Sequence, residues 1–144
     1  MNSPDSIGQK ENAGQIYDVG YQQVLRPMTP DHIKSCIGLI TEAMDENEGR
    51  FAARTFDQHF ASHQHGIDDG RRLFVYESEN EIQAIVGLHH YNWGPPENVW
   101  LSWFAVHPDY QRNGLGTKLF LEIQNLAQEL GFQKMLIETY SGET

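Results

Sequence analysis

The residues best suited to chemistry form a short loop with glycine at alternate positions, Gln111-Arg112-Asn113-Gly114-Leu115-Gly116. A glycine loop that leads directly into a helix presents backbone N–H groups at the positive end of the helix dipole, and such a surface binds phosphate. Glycine suits these positions because a side chain would block the approach of a ligand to the backbone. An Asn-Gly turn that simply enters a helix is the alternative, and the loop composition leaves both interpretations open.

Two common classes of phosphate-binding loop do not match this spacing. The loop contains no GxGxxG motif and no GxxxxGK motif followed by Ser or Thr. We therefore expect the pyrophosphate that binds here to belong to something other than a dinucleotide or a nucleoside triphosphate.

The elements that position the loop are a strand before it and a helix after it. Residues 99–106 are rich in β-branched and aromatic side chains, which indicates a buried strand that ends at Pro108. Residues 117–130 predict a helix whose buried stripe is formed by Leu119, Phe120, Ile123, Ala127 and Leu130. Gly131 is placed to end this helix, with Phe132 as the apolar contact that accompanies such an end. Residues 134–140 predict a further strand, parallel to the strand at 99–106.

The rest of the chain predicts one domain over residues 21–144, preceded by a polar, mobile tail over residues 1–20. A first strand is expected over residues 21–26, closed by Pro27. A helix capped by Thr29 follows, and its buried stripe contains Ile33, Cys36, Ile37, Ile40 and Met44. A shorter second helix is predicted within residues 55–65.

Two further apolar runs, over residues 73–77 and 82–93, predict an antiparallel hairpin. Gly87 interrupts the second run, and it marks either a bulge or a close backbone approach. Because side chains alternate along a strand, His89 and Tyr91 should point to one face and His90 and Asn92 to the other.

The glycine hexapeptide resembles the Q/R-x-x-G-x-G/A motif of the GNAT superfamily of acyl-CoA-dependent N-acyltransferases. Residues 103–110, Trp-Phe-Ala-Val-His-Pro-Asp-Tyr, are similar to that family's central strand and its exit. With the helix and the strand that follow, the resemblance covers roughly residues 21–144. It implies an α/β fold with a mixed, mostly antiparallel sheet and a βαβ acyl-CoA-binding unit.

The resemblance further implies acetyl-CoA as a co-substrate. Its pyrophosphate would meet the backbone N–H groups of residues 111–116, with Arg112 and Lys118 neutralising phosphate charge. Its pantetheine arm would follow the exposed edge of the central strand, where a backbone N–H polarises the thioester carbonyl. The cofactor-binding residues expected on this basis are Phe104, Ala105, Val106, Gln111, Arg112, Asn113, Gly114, Leu115, Gly116, Thr117 and Lys118.

The acceptor amine must lose a proton before it attacks, and either a side chain or a chain of waters can take it. The candidate catalytic residues are Glu138, His89, His90 and Tyr140, in no fixed order. The central strand in this family often supplies a Glu that faces the pocket, whereas Ser102 and Trp103 stand here. Both histidines of the pair at 89 and 90 could equally pack or meet water at the end of the sheet.

His59 and His63 stand four residues apart, which is metal-ligand spacing on a helix face. The chain has no HExxH motif and no carboxylate at a matching interval, and histidines on a polar helix face are usually solvated. The sequence therefore predicts no metal site.

The chain departs from the family pattern at its C-terminal end. Family members continue past the strand at 134–140 into another helix and two strands, and that helix commonly carries a tyrosine that protonates the leaving thiolate. No residue here matches that tyrosine, so the expected fold is C-terminally short. An unpaired sheet edge at 134–140 favours a homodimer.

Charge and composition limit the partners. Ten basic and twenty acidic residues give a net charge of −10, which disfavours nucleic acid and anionic membranes and favours a cationic amine. Cys36 is the single cysteine, which excludes an intramolecular disulfide, and no long apolar run is present. The sequence thus predicts a soluble, cytoplasmic protein.

Three functions compete at this level. The first is an N-acetyltransferase that moves an acetyl group from acetyl-CoA to a primary amine of a small molecule or peptide by direct attack. The second is a CoA-binding or regulatory module without efficient catalysis. The third is an interaction domain whose glycine loop is only a turn.

Overall fold

Five strands form one sheet in chain order, in a computed structural model that describes residues 23–138. The strands are β1 Arg26–Pro27, β2 Arg71–Ser78, β3 Glu81–His89, β4 Asn98–Val106 and β5 Lys134–Ile137. Strands β1 to β4 are antiparallel to their neighbours, and β4 pairs with β5 in parallel. The predicted mixed, mostly antiparallel α/β sheet is confirmed. The tail predicted over residues 1–20 and Tyr140 lie outside the described residues.

Helices cover both faces of this sheet. They are α1 Ile33–Ala43, α2 Glu46–Gln64 and α3 Leu115–Glu129. One buried cluster joins α1 and α2 to Ile85 of β3, and a second joins α3 to Ala84 and Val86 of the same strand. The two clusters take alternate residues of β3, because successive strand side chains point to opposite faces. None of the helices in the described part of the chain has the length and apolarity that a membrane crossing needs.

Helix α2 is longer than the predicted segment within residues 55–65. It begins at Glu46, where the side chain of Asp45 accepts the N–H of Glu48 at 2.8 Å and caps the helix. Its buried residues are Gly49, Ala52, Phe56 and His59. The apolar signal is weak over the first turns because two of these residues are small, so the prediction began too late.

Strand β1 also differs from the prediction, which placed a strand over residues 21–26 and ended it at Pro27. The strand consists of Arg26 and Pro27. The backbone N–H groups of Val24 and Leu25 donate instead to the buried carboxylate of Glu122 on α3, at 2.7–3.0 Å. Proline is tolerated in β1 because an edge strand needs no outward N–H.

Strand β3 ends at His89 rather than at residue 93, because the chain turns there and the N–H of Gly94 donates to the carbonyl of Tyr91 at 3.0 Å. The close backbone approach predicted at Gly87 is confirmed, because a Cβ there would lie 2.9 Å from the carbonyl oxygen of Ser102, whereas the bulge at this point of the ladder belongs to β4. The register with β4 shifts between Ile85 and Gly87, and a Cβ on Gly87 would lie 2.8 Å from Ser102 Oγ.

Helix α3 begins and ends with left-handed glycines. Gly114 has φ +88° at the start, Gly131 has φ +99° after the end, and the N–H of Phe132 donates to Ala127 at 3.0 Å. The predicted C-terminal glycine is therefore confirmed. Leu130 was predicted in the core but is 47% exposed, because it lies after the last helical turn where the chain changes direction.

Candidate active site

Strand β4 carries a bulge at its centre. Gly87 of β3 pairs with Ser102 and Ile85 pairs with Ala105, so two residues of β4, Trp103 and Phe104, occupy the space of one. Trp103 has φ +51°, a rare conformation for an aromatic residue and one that the surrounding sheet must stabilise. Strained backbone of this kind concentrates at functional sites.

Beyond the bulge, one edge of β4 has no partner strand among the described residues. Strand β5 pairs only with residues 98–101 of β4. The N–H of His107 donates to Gln83 on β3 at 2.8 Å, and ladder alternation therefore turns the polar groups of Val106 toward the free edge. Gln111 Nε2 donates to the carbonyl of Val106 on that side at 2.9 Å. The predicted exposed edge of β4 thus borders the glycine loop.

The loop itself is shaped by two residues with positive φ, Arg112 at +68° and Gly114 at +88°. Asn113 Oδ1 accepts the N–H of Leu115 at 3.2 Å, and the first helical bond runs from Lys118 to Gly114 at 3.1 Å. The N–H groups of Gly116 and Thr117 lie in the first helical turn and have no acceptor among residues 23–138. They are available to an anion at the positive end of α3.

The space above these N–H groups is open. A Cβ on Gly116 would meet only Val106, at 4.0 Å, and a Cβ on Gly114 would meet nothing within 4 Å. The fold itself therefore does not require the absence of a side chain at Gly116. Arg112 and Lys118 are exposed and form no ion pair within the described part of the chain. Open backbone donors between two unpaired cations fit a pyrophosphate.

A cavity of about 350 Å³ lies beside the bulge of β4. Its lining combines aromatic rings with two carboxylates: Met44, Glu48, Tyr91, Trp100, Leu101, Ser102, Trp103 and Glu138. Ser102 Oγ is buried and has no hydrogen-bond partner in the described structure. The aromatic walls and paired carboxylates suit a cationic group.

Sequence reasoning missed Glu48 in this cavity. The residue lies in the first turn of α2, and the predicted helix did not reach it. The only signal was the run of acidic residues around positions 42–48, which is more often a solvated helix face.

The candidate catalytic residues are not brought together. Glu138 lines the cavity beside the bulge. His89 and His90 line a different cavity of about 300 Å³, next to Asp69. The described residues end before Tyr140.

The two neighbouring histidines point to opposite faces, as predicted. The ring of His89 lies 4.0 Å from that of Tyr91, whereas the ring of His90 packs on Phe132 at 5.4 Å. Burial, and then the charge of Arg71, lower the pKa of His89 to about 4, so it is neutral near pH 7. His90 Nδ1 donates to the carbonyl of Asn98 at 2.9 Å, which fixes its tautomer.

His59 and His63 share one face of α2, as the spacing predicted, with ring centroids 4.3 Å apart. The sequence offered no carboxylate at a helical interval. The fold supplies one from outside the helix, because Asp69 in the segment before β2 lies against both rings.

Comparison with known proteins gives a family match. The model of the acetyltransferase (GNAT) family matches residues 37–143. This range contains the glycine loop, the bulge of β4 and the residues of the cavity beside the bulge. No curated protein matches the chain.

Solved structures share the fold. A GNAT-family protein from Desulfovibrio desulfuricans aligns with a TM-score of 0.70 and 18% identity, over 80% of this chain and 72% of that chain. PaiA N-acetyltransferase from Thermoplasma acidophilum, in complex with coenzyme A, aligns with a TM-score of 0.65 and 10% identity, over 83% and 80%. AAC(6')-Iy, in complex with a bisubstrate analogue built on CoA and acetylneamine, aligns with a TM-score of 0.62 and 14% identity, over 83% and 80%.

Proposed function

Because this chain belongs to the acetyltransferase (GNAT) family, we propose that it transfers an acetyl group from acetyl-CoA to a primary amine of a small molecule or peptide by direct attack. The observation that carries the proposal is the open glycine loop at the start of α3, which adjoins the unpaired edge of β4. Two structural neighbours were solved with coenzyme A and with a bisubstrate analogue that contains CoA, and they support a CoA-type co-substrate for this chain.

The loop would hold the pyrophosphate through backbone N–H groups. Within residues 111–117, the N–H groups of Gly116 and Thr117 have no acceptor in the described structure and would be the first donors, and the charges of Arg112 and Lys118 add attraction. The pantetheine arm would pair with the free edge formed by Phe104, Ala105 and Val106, as an added strand pairs with a sheet.

Acetyl-CoA supplies an activated acetyl thioester, whose C–S bond breaks as the amine nitrogen forms the new C–N bond. CoA would leave as a thiolate, which takes up the proton that the attacking nitrogen loses and becomes the thiol. A backbone N–H of the free edge would stabilise the negative charge that develops on the carbonyl oxygen. One such donor is worth about 3–4 kcal/mol when it is held in place. The bulge at Trp103 would aim it, because the strained backbone there has a fixed conformation.

The acceptor amine would occupy the cavity beside the bulge. Glu48 and Glu138 attract a cationic group there, and the aromatic walls cover its apolar part. We assign proton removal to Glu138, since it is the only one of the four candidates in this cavity among the described residues. His89 is a weaker candidate because its low pKa makes it a poor proton acceptor at neutral pH.

A homodimer formed along β5 belongs to the same proposal. Strand β5 pairs with β4 on one side and with no described strand on the other, and Ile137 is 49% exposed. Sedimentation at micromolar concentration tests it, and a well-folded monomer would contradict it.

The proposal is tested by thermal melts with and without millimolar acetyl-CoA, on the wild type and on Gly116→Leu. A ligand at a hundredfold excess over its Kd stabilises the folded state by about 2.7 kcal/mol. Leucine at Gly116 fits the free protein, where a Cβ meets only Val106 at 4.0 Å, but it fills the phosphate space. We expect the stabilisation in the wild type and its loss in Gly116→Leu.

Gly38→Leu is the matched control. Gly38 also lies in a helix, and its added Cβ would meet nothing within 4 Å, but its helix α1 covers the sheet face opposite to α3. This variant should keep the full shift. A wild-type protein that shows no shift overturns the proposal.

Turnover is then measured as thiol release across a panel of amines. Cys36 does not interfere with a thiol reagent, because it is buried and burial raises the pKa of its thiol to about 12. Binding without thiol release from any amine would favour a CoA-binding module over an enzyme.

A further inference from the structure

A cluster of metal-ligating side chains lies outside the site described above. His59 and His63 stand one helical turn apart on α2, and His59 is buried while His63 is 43% exposed. A buried imidazole needs a polar partner, because an unpaired polar group inside a protein is costly. The partner here is Asp69.

Asp69 contacts both rings, and its Oδ1, which lies 3.1 Å from His59 Nδ1, is near both of them. His59 Nδ1 lies 2.9 Å from Asp69 Oδ2, and His63 Nε2 lies 3.5 Å from Asp69 Oδ1. One ligand atom from each of the three residues lies within 4.8 Å of the others. Zinc bonds of about 2.0–2.1 Å place two tetrahedral ligands about 3.4 Å apart, so these atoms need only small shifts to surround an ion.

We propose that His59, His63 and Asp69 bind a divalent transition-metal ion such as Zn²⁺. Two imidazoles and one carboxylate suit Zn²⁺, Co²⁺ or Ni²⁺, whereas Mg²⁺ and Ca²⁺ prefer oxygen ligands throughout. Three protein ligands leave a fourth position for water, which the exposed side of His63 permits.

Charged groups near the cluster act on its affinity for a cation in opposite directions. Arg71, at the start of β2, faces Asp69 and disfavours a cation, whereas the neighbouring Asp68 favours one. His89 lines a cavity together with Asp69 and is neutral near pH 7, so it adds no repulsion there. We expect binding weaker than that of four-ligand structural zinc sites.

The ion would fasten the segment before β2 to α2. Asp69 Oδ1 also accepts the N–H of Arg71 at 3.1 Å, so the carboxylate already ties the start of β2 to the cluster. A metal ion would strengthen this connection between helix and sheet. The role is structural and independent of acetyl transfer, so the test does not require an active enzyme.

The test is a thermal melt with ZnCl₂ added to metal-free protein, together with a visible absorption titration with Co²⁺. For a domain of this size, a hundredfold excess over Kd should raise the Tm by about 5–10 °C. Co²⁺ bound by these ligands should give absorption bands that free Co²⁺ lacks. Both signals should be lost in His63→Ala and in Asp69→Asn.

His65→Ala is the matched control. His65 ends the same helix, is exposed, and bonds the carbonyl of Ala61 rather than the cluster. It should leave both signals unchanged. Equal loss in His65→Ala would indicate adventitious binding to surface histidines and would overturn the proposal. The proposal also fails if the wild type shows neither signal, or if both signals survive in His63→Ala and Asp69→Asn.

Discussion

The two halves of the proposed active site use different chemical groups of the chain. The cofactor edge, residues 104–118, offers mainly backbone: N–H groups in the first turn of α3 and one side of β4, which have no partner within residues 23–138. The acceptor cavity offers mainly side chains, and these come from as far apart as Met44 and Glu138. The first half is nearly continuous in sequence, and the second is assembled by the fold.

This difference determines what each half tolerates. Backbone donors persist when a side chain changes, so the cofactor edge should be sensitive to conformation and to space rather than to residue identity. The acceptor cavity depends on the charge and position of individual side chains. Substitutions that only alter charge should therefore act strongly in the cavity and weakly at the loop.

The largest effect is expected from Glu138→Gln. The amide cannot take the proton of the amine, and loss of a general base typically costs about 10²–10⁴-fold in rate. The kcat for amine acetylation should fall in that range, while the Kd for acetyl-CoA, measured by calorimetry, stays unchanged. Glu129→Gln, at the exposed end of α3, is the control. Near-normal kcat in Glu138→Gln would remove the residue from the mechanism.

A smaller effect is expected from Glu48→Gln. The carboxylate lines the cavity and is half-buried, so its attraction for a cationic amine is worth about 1 kcal/mol. The KM for the amine should rise about fivefold with little change in kcat, and added salt should reduce the difference. Glu46→Gln, two residues before Glu48 and outside the cavity lining, should leave KM unchanged. A fall in kcat with constant KM would instead place Glu48 in the chemical step.

The smallest effect is expected at the loop, from Arg112→Gln and Lys118→Gln. Both side chains are exposed, and exposed charge pairs contribute about 0.2–1 kcal/mol each. Calorimetry should show a loss of affinity for acetyl-CoA of about twofold to fivefold per substitution, and the loss should shrink as salt is raised. A loss above about fiftyfold in either variant would mean that side chains rather than backbone hold the phosphates, and the contrast between the two halves would fail.

Sequence reasoning succeeded for features that lie within one stretch of chain and failed for features that the fold assembles from distant residues. The loop, the left-handed glycine after α3, the close approach at Gly87 and the opposite faces of His89 and His90 were all predicted. Each of these predictions used only residue types within a few positions of the chain. The start predicted for α2 was wrong, because the first buried residues of that helix are small. The first strand was wrong at Val24 and Leu25, because their N–H groups donate to Glu122 instead of to a strand.

The cluster of His59, His63 and Asp69 shows most directly what sequence periodicity cannot predict. Helical periodicity placed His59 and His63 on one face, but the absence of a carboxylate at a helical interval led to the prediction of no metal site. Asp69 reaches the cluster from the segment that follows α2. Periodicity describes contacts within one element, and it carries no information about a residue that arrives from another.

The sequence by itself determined the strand, glycine loop and helix that form the cofactor edge, since hydrophobic periodicity, a proline stop and glycine conformations act over short distances. It also determined the family resemblance, because the motif is continuous. Only the tertiary structure decided that Glu48, Tyr91 and Glu138 share one cavity beside the bulge. That grouping depends on how helices and strands pack across long stretches of chain, and local patterns do not record it.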